Sequence, residues 1–150
     1  MNQLEIKQVV YQQAKKQIDR IRTEVFQIEQ QISAELEFDG LDAAATQLLA
    51  YWKEEAVGTA RIRDVDPQTV KIERLAVLSF ARGKGIGTKL MEYAIALYPN
   101  RTIVVHAQEY IKELYLQLGF EPEGNIFTEA GIPHLAMKKE AKLNPLELES

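Results

Sequence analysis

The sequence predicts an α/β fold in a single domain, and three observations carry that prediction. Segments of strand-type alternation or β-branched runs take turns along the chain with segments whose apolar residues recur every three or four positions, the two periods of strands and helices. The stretch Arg82-Gly83-Lys84-Gly85-Ile86-Gly87-Thr88 lies between the apolar run Leu75–Leu78 and a helical pattern that starts near Ile86, so it is a strand-to-helix turn. A length of 150 residues with 46% apolar composition supports one core and is short for two.

Taken in order, Leu4 to Val10 alternates and is rich in branched residues, as a first strand should be. From Ala14 through Ile18, Ile21, Val25 and Ile28 to Ile32 the apolar residues keep helical steps, although Phe26 interrupts the stripe; a core-facing helix, or a pair of short ones, is expected. Glu35 to Asp42 ends it in a turn at Asp39-Gly40. Its four acids read either as a solvated loop or as an acidic wall that recognises an amine. Strands are expected at Gln47–Lys53, Ala56–Arg63 and Val70–Leu78, with turns at Glu54-Glu55 and Asp66-Pro67. In the last of these, strict alternation places Glu73, Leu75 and Val77 on one face and Ile72, Arg74 and Ala76 on the other, so a charge falls on each side. A charge in a central strand is costly unless paired or used.

After the glycine turn, Ile86, Leu90, Ala94 and Leu97 form a helical stripe that Pro99-Asn100 stops. Thr102–Ala107 is a continuous run of the kind found in strands buried on both faces. A helix is expected from Tyr110 to Leu118 with Gly119 as its cap, and a final strand pair at Ile126–Thr128 and Leu135–Lys138. Residues 141–150 read as a frayed tail on a domain spanning 1–140.

Composition excludes several function classes. With no cysteine and two histidines, a usual zinc site and a cysteine nucleophile are both out, and no metal is expected. The net charge of −4 speaks against general nucleic-acid binding and is compatible with attracting a cationic amine. No apolar run approaches the roughly 20 residues of a membrane span, and the N-terminus lacks the pattern of a signal peptide; the cytoplasm is the expected compartment.

The glycine turn has the chemistry of an anion cradle. Glycines admit positive φ and close approach, and the helix that follows presents unpaired N–H groups and the positive end of its dipole. Arg82 and Lys84 add charge, which suits a diphosphate. A Walker loop is ruled out because Lys84 precedes the last glycines, and Gly83, Gly85 and Gly87 have the wrong final interval for a dinucleotide fold.

Arg82, Gly85 and Gly87 resemble the Arg-x-x-Gly-x-Gly signature of the GNAT superfamily of acetyl-CoA-dependent N-acetyltransferases. Downstream, Tyr115 stands four residues before Gly119-Phe120, as in that family. Val25–Gln30, Asp39–Asp42 and Gly131–Met137 resemble its ElaA-like branch. The resemblance spans nearly the whole chain and implies a mixed central sheet flanked by helices. It implies that acetyl-CoA serves as co-substrate, its diphosphate on Arg82, Gly83, Lys84, Gly85, Ile86, Gly87 and Thr88. Its pantetheine arm would lie along Leu75, Ala76 and Val77, between splayed fourth and fifth strands.

By the same resemblance Tyr115 is the general acid for the leaving thiolate, and a backbone N–H near Val77 serves the thioester oxygen. Glu73 is a candidate base on the strand where many family members carry one, and His134 is the other. Glu29, Gln30, Asp39 and Asp42 are the candidate acceptor-binding residues. Many members have an asparagine after the fifth strand where this chain has Gln108 and Glu109, which weakens a cofactor contact there. The implied activity is direct acetyl transfer to a primary amine of a small molecule or protein, and a homodimer is the assembly the resemblance suggests. Two alternatives stand beside it: a non-catalytic CoA-binding or sensor module, and an interaction protein whose Ala14–Ile32 helix is an association surface.

Overall fold

A computed structural model describes residues 3–141. Its elements run β1 (Leu4–Val9), α1 (Tyr11–Arg22), a π-helical stretch (Thr23–Glu29), α2 (Ala34–Glu37), β2 (Thr46–Trp52), β3 (Glu55–Asp66) and β4 (Thr69–Val77). A 3₁₀ turn (Ser79–Ala81) leads to α3 (Ile86–Leu97) and β5 (Thr102–Gln108), and a second one (Glu109–Ile111) to α4 (Lys112–Gln117), β6 (Glu121–Glu129) and β7 (Ile132–Lys139). The strands form one mixed sheet in the order β1-β2-β3-β4-β5-β7-β6, with helices flanking it; the predicted single-domain α/β fold is the fold found. Apart from Ala141, the expected tail lies outside the described residues. Among the described residues no helix is long and apolar enough to cross a membrane.

Contacts cluster into two units. The first holds the chain up to Arg63 together with Ile72–Ala94. β1 pairs antiparallel with β2, and β2 with β3. Ile18 and Ile21 of α1, Leu48 and Leu49 of β2, Val57 and Ala60 of β3, and Ile86, Leu90 and Met91 of α3 are buried. Gly58 of β3 lets the first turn of α3 come close, since a Cβ there would stand 3.1 Å from Leu90 Cδ1 and 3.3 Å from Ile86 Cγ2.

Two expectations need correction in this unit. The β2–β3 turn falls at Lys53-Glu54, one residue before the expected Glu54-Glu55. Both residues take left-handed φ, 50° and 73°, the geometry of a tight hairpin, and no glycine marks it in the sequence. The helix that begins at Tyr11 turns π-helical at Thr23, with the Gln30 N–H on the Val25 carbonyl. The wider turn shifts the phase, so Val25 and Phe26 are buried while Ile28, expected in the stripe, is 61% exposed. In β4 the expected alternation is kept, with Ile72 and Ala76 buried and Glu73, Leu75 and Val77 half-buried; Arg74, at φ 56°, sends its guanidinium to the carbonyls of the α2 segment.

The second unit holds Asp64–Lys71 and the described residues from Ile95 to Ala141. Here Thr69, Val70 and Lys71 of β4 pair in parallel with Thr102, Ile103 and Val104 of β5, and β5 pairs antiparallel with β7. The expectation that β5 is buried on both faces fails. Ile103, Val105 and Ala107 are buried, whereas Val104 and Gln108 are half-buried and His106 is exposed, so one face alone is fully covered. α4 is shorter than expected because its first turn is 3₁₀, and Gly119 ends it at φ 94°. β6 starts at Glu121 rather than near Ile126 and follows a register shift between Glu123 and Phe127, where Gly124 takes φ 73°. It turns into β7 through Ala130 and Gly131.

Candidate functional site

In the first unit the glycine turn follows β4. Gly83 and Gly85 have φ of 80° and 77°, where glycine alone is unstrained, and a Cβ on either would meet nothing within 4 Å. Open space of this kind beside bare backbone leaves room for a ligand oxygen. The Lys89 N–H closes the first turn of α3 on the Gly85 carbonyl at 3.0 Å, so the N–H groups of Ile86, Gly87 and Thr88 precede the helical ladder. Gly87 lies against β4, its Cβ position 3.9 Å from Val77 Cγ2. Leu75 and Val77 are half-buried and Ala76 is buried. Lys84 places its ammonium 5.2 Å from the centre of the Trp52 ring.

Arg82 donates from Nε to the Val77 carbonyl at 3.0 Å, and from Nη1 and Nη2 to the two carboxylate oxygens of Glu29 at 2.8 and 2.7 Å. The structure therefore brings together one residue expected to bind the co-substrate and one expected to bind the acceptor. Gln30 follows directly and is half-buried.

The acidic segment before β2 is not a solvated loop. Glu37 and Asp42 are 2% and 5% exposed. Arg22 binds Glu37 through Nε and Asp42 Oδ1 through Nη1 at 2.5 Å. Arg61, fully buried, reaches Asp39 at 2.8 and 2.9 Å, Asp42 at 3.1 Å and Glu73 at 2.5 Å. Arg63 holds the other Glu73 oxygen at 2.6 Å, and Arg74 donates to Asp39 and to the carbonyls of Leu36 and Glu37.

Hydrogen bonds from Arg61 hold the Asp39 carboxyl well below the usual carboxylate range. Burial opposes ionisation of Asp42, but Arg22 and Arg61 outweigh it and lower its pKa, while at Glu37 burial prevails over Arg22 and the pKa is raised. Sequence reasoning named Asp39, Asp42 and Glu73 but missed the arginines that join them. The signal was a cation inside an apolar context: Arg22 after Ile21, and Arg61 between Ala60 and Ile62.

In the second unit Tyr115 is 5% exposed on α4 with its ring edge-on to Phe120 at 5.8 Å. Burial pushes its phenol up to about 12, with a smaller contribution from Tyr110. His134 on β7 is 6% exposed and stacks on Phe127. Its Nδ1 lies 2.7 Å from the Ile132 carbonyl and its Nε2 3.7 Å from Glu129. Among the described residues no three His, Cys, Asp or Glu side chains gather as a metal-binding group.

Residues 6–141 match the family model described as an acetyltransferase (GNAT) domain. ElaA of Escherichia coli is 30% identical over 128 residues, 81% of this chain and 84% of ElaA. Its crystal structure covers 91% of this chain and 99% of its own with a TM-score of 0.81 at 26% identity. YjcF of Bacillus subtilis, named an uncharacterized N-acetyltransferase, is 35% identical over 124 residues, 80% of this chain and 88% of YjcF. The crystal structure of an acyl-CoA N-acyltransferase from Pseudomonas aeruginosa has a TM-score of 0.80 at 28% identity, covering 91% of this chain and 99% of its own.

Proposed function

Because the chain belongs to the GNAT acetyltransferase family, in its ElaA-like branch, we propose that it transfers an acetyl group from acetyl-CoA directly to a primary amine. The observation that carries the donor side is the turn at Gly83 and Gly85, with its left-handed backbone facing open space in front of a helix start. In this reading the CoA diphosphate rests on the amides of Gly83 to Thr88, with Arg82 and Lys84 beside them. The pantetheine arm follows Leu75 to Val77, and a backbone N–H near Val77 polarises the thioester carbonyl. The name of the Pseudomonas relative supports an acyl-CoA donor.

The chemistry then needs a proton acceptor for the amine and a donor for the thiolate. Tyr115 is the donor: a phenol pushed up to about 12 enters each cycle protonated. His134 is the acceptor. Glu73, gripped by Arg61 and Arg63, has the lone pairs of a proton acceptor already engaged, and its role is to brace the arginines around Asp39 and Asp42. Glu29, Gln30 and the more exposed Asp39 receive the acceptor, and Asp42 holds Arg22 and Arg61 in place behind them.

A thermal melt with acetyl-CoA, using adenine nucleotide as control, tests the donor site. Ligand at 100 times its Kd adds about 2.7 kcal/mol, a rise of several degrees. A rise above the control that shrinks in an Arg82→Ala, Lys84→Ala variant supports the reading, and thiol release across a panel of primary amines then identifies the acceptor. No rise at saturating acetyl-CoA overturns it.

A further inference from the structure

Both histidines of the chain meet at one carboxylate. His106 of β5 pairs with Ala136 of β7, and His134 lies two residues from Ala136, so the two imidazoles share a face of the sheet. Phe127 of β6 stands opposite His134, stacked on it at 6.0 Å and edge-on to His106 at 5.1 Å. Glu129, two residues on, shares that face and spans the pair: Oε1 lies 3.0 Å from His106 Nδ1 and Oε2 lies 3.7 Å from His134 Nε2. Lys71 of β4 also reaches the cluster, its ammonium 3.4 Å from His106 Nδ1, and Lys138 of β7 lies on the same face, paired with Glu123 and Glu140.

Hydrogen-bonding capacity fixes the roles. A carbonyl only accepts, so the His134 Nδ1 that meets the Ile132 carbonyl carries the hydrogen; Nε2 is bare in the neutral ring and, once protonated, becomes the ion-pair partner of Glu129 at 3.7 Å. His106 has two states: Nδ1–H donating to Glu129, or bare Nδ1 accepting from Lys71. Exposure falls along the same line, with side chains 45% exposed at Glu129, 34% at His106 and 7% at His134. A base enclosed as His134 is must return each proton to water after every turnover.

We propose that Glu129 and His106 carry the reaction proton from His134 to solvent. The inference rests on the assignment of His134 as the base. The amine lone pair forms the C–N bond as the C–S bond breaks and sulfur takes the Tyr115 proton. The amine N–H then breaks toward His134 Nε2, its electron pair staying on nitrogen. The proton passes from Nε2 to the Glu129 carboxylate and from there to His106 Nδ1 once that lone pair has left the Lys71 ammonium; the ring releases its Nε2 proton to water, and loss of a proton at Nδ1 with uptake at Nε2, both by exchange with water, restores the starting tautomer. Tyr115 recovers its proton from solvent, so one proton leaves and one enters.

With two histidines in the chain, ¹⁵N spectra resolve both rings. The neutral form of His134 is expected as the Nδ1–H tautomer. With acetyl-CoA and the amine that the panel returns, His106→Ala and Glu129→Gln are each expected to lower kcat about tenfold with KM unchanged, below the roughly 10²–10⁴-fold of a group that touches the reacting atoms. Added imidazole is expected to restore kcat in His106→Ala and leave the parent protein unaffected, a response that a merely structural role does not give.

An Nε2–H tautomer at His134, or no rescue by imidazole, overturns the relay. Parent-level turnover in His134→Gln overturns the base assignment and the relay with it. Loss of turnover in His134→Gln beside parent-level kcat in His106→Ala overturns the relay alone.

Discussion

Arg82 clasps Glu29 with two parallel hydrogen bonds, tying the glycine turn to the π-helical stretch that precedes α2. The same guanidinium is the one proposed to meet the CoA diphosphate, so carboxylate and diphosphate compete for it. Glu29→Gln is expected to tighten acetyl-CoA binding about two- to fivefold, in keeping with the ~1 kcal/mol or less of an exposed pair. Calorimetric titration of the variant measures it, and weaker binding would make Glu29 a support for Arg82 instead of a rival.

Arg61 is the hinge of the buried charge network, holding Asp39, Asp42 and Glu73 together. Arg61→Met would leave three carboxylates short of a partner, and breaking a buried pair from one side costs roughly 3–5 kcal/mol. Urea unfolding at neutral pH should report a loss of that order. The pH dependence follows from the depressed pKa values of Asp39 and Asp42. The stability they contribute is complete above their unfolded value near 3.8 and drains as the pH falls below it. The variant, having lost the arginine that depresses them, should show a smaller loss over that acid range.

Tyr115 gives the opposite slope at the alkaline end. Its phenol ionises near 10 when unfolded and near 12 when folded, so the unfolded chain sheds that proton first. Stability from this group is complete below 10 and falls as the pH rises toward 12, by about 2–3 kcal/mol in all. Tyr115→Phe should flatten that part of a melting profile taken between pH 9 and pH 11, within the parent's window, and should cut turnover roughly 10²–10⁴-fold while leaving the acetyl-CoA melt shift intact.

Gly58 has no room for a side chain against Leu90 and Ile86. Gly58→Val is expected to cost about 1–3 kcal/mol by overpacking. Because Ile86 opens the helix behind the glycine turn, acetyl-CoA binding should weaken with it; a destabilised variant with unchanged binding would separate the packing from the site.

Much of this was legible because glycine and periodicity speak locally. The turn at Gly83 and Gly85 was visible from residue type alone, since few other residues take that backbone. The stripe Ile86, Leu90, Ala94 placed α3 correctly. What escaped was decided by partners distant in sequence. Whether Asp42 meets water or Arg22 and Arg61 depends on residues about twenty positions away on either side. The lefthanded Lys53, Glu54 and Arg74 carry no compositional mark, because neighbouring strands impose their geometry. Glu129 drew no notice among many surface acids until the pairing of β6 with β7 set it beside two histidines.

The π-helical stretch has a consequence for how this chain tolerates changes in length. A π turn holds one residue more than an α turn, so deletion of a single residue within Thr23–Glu29 would let the helix run on in α geometry. The extra residue and the wider turn cancel, so the side chains beyond it would keep nearly the facing they have now. A deletion earlier, in the regular turns of α1, has no such slack and would swing every later side chain by about 100° around the axis. The π turn is therefore the place where this helix can lose a residue with Glu29 still on the side of Arg82.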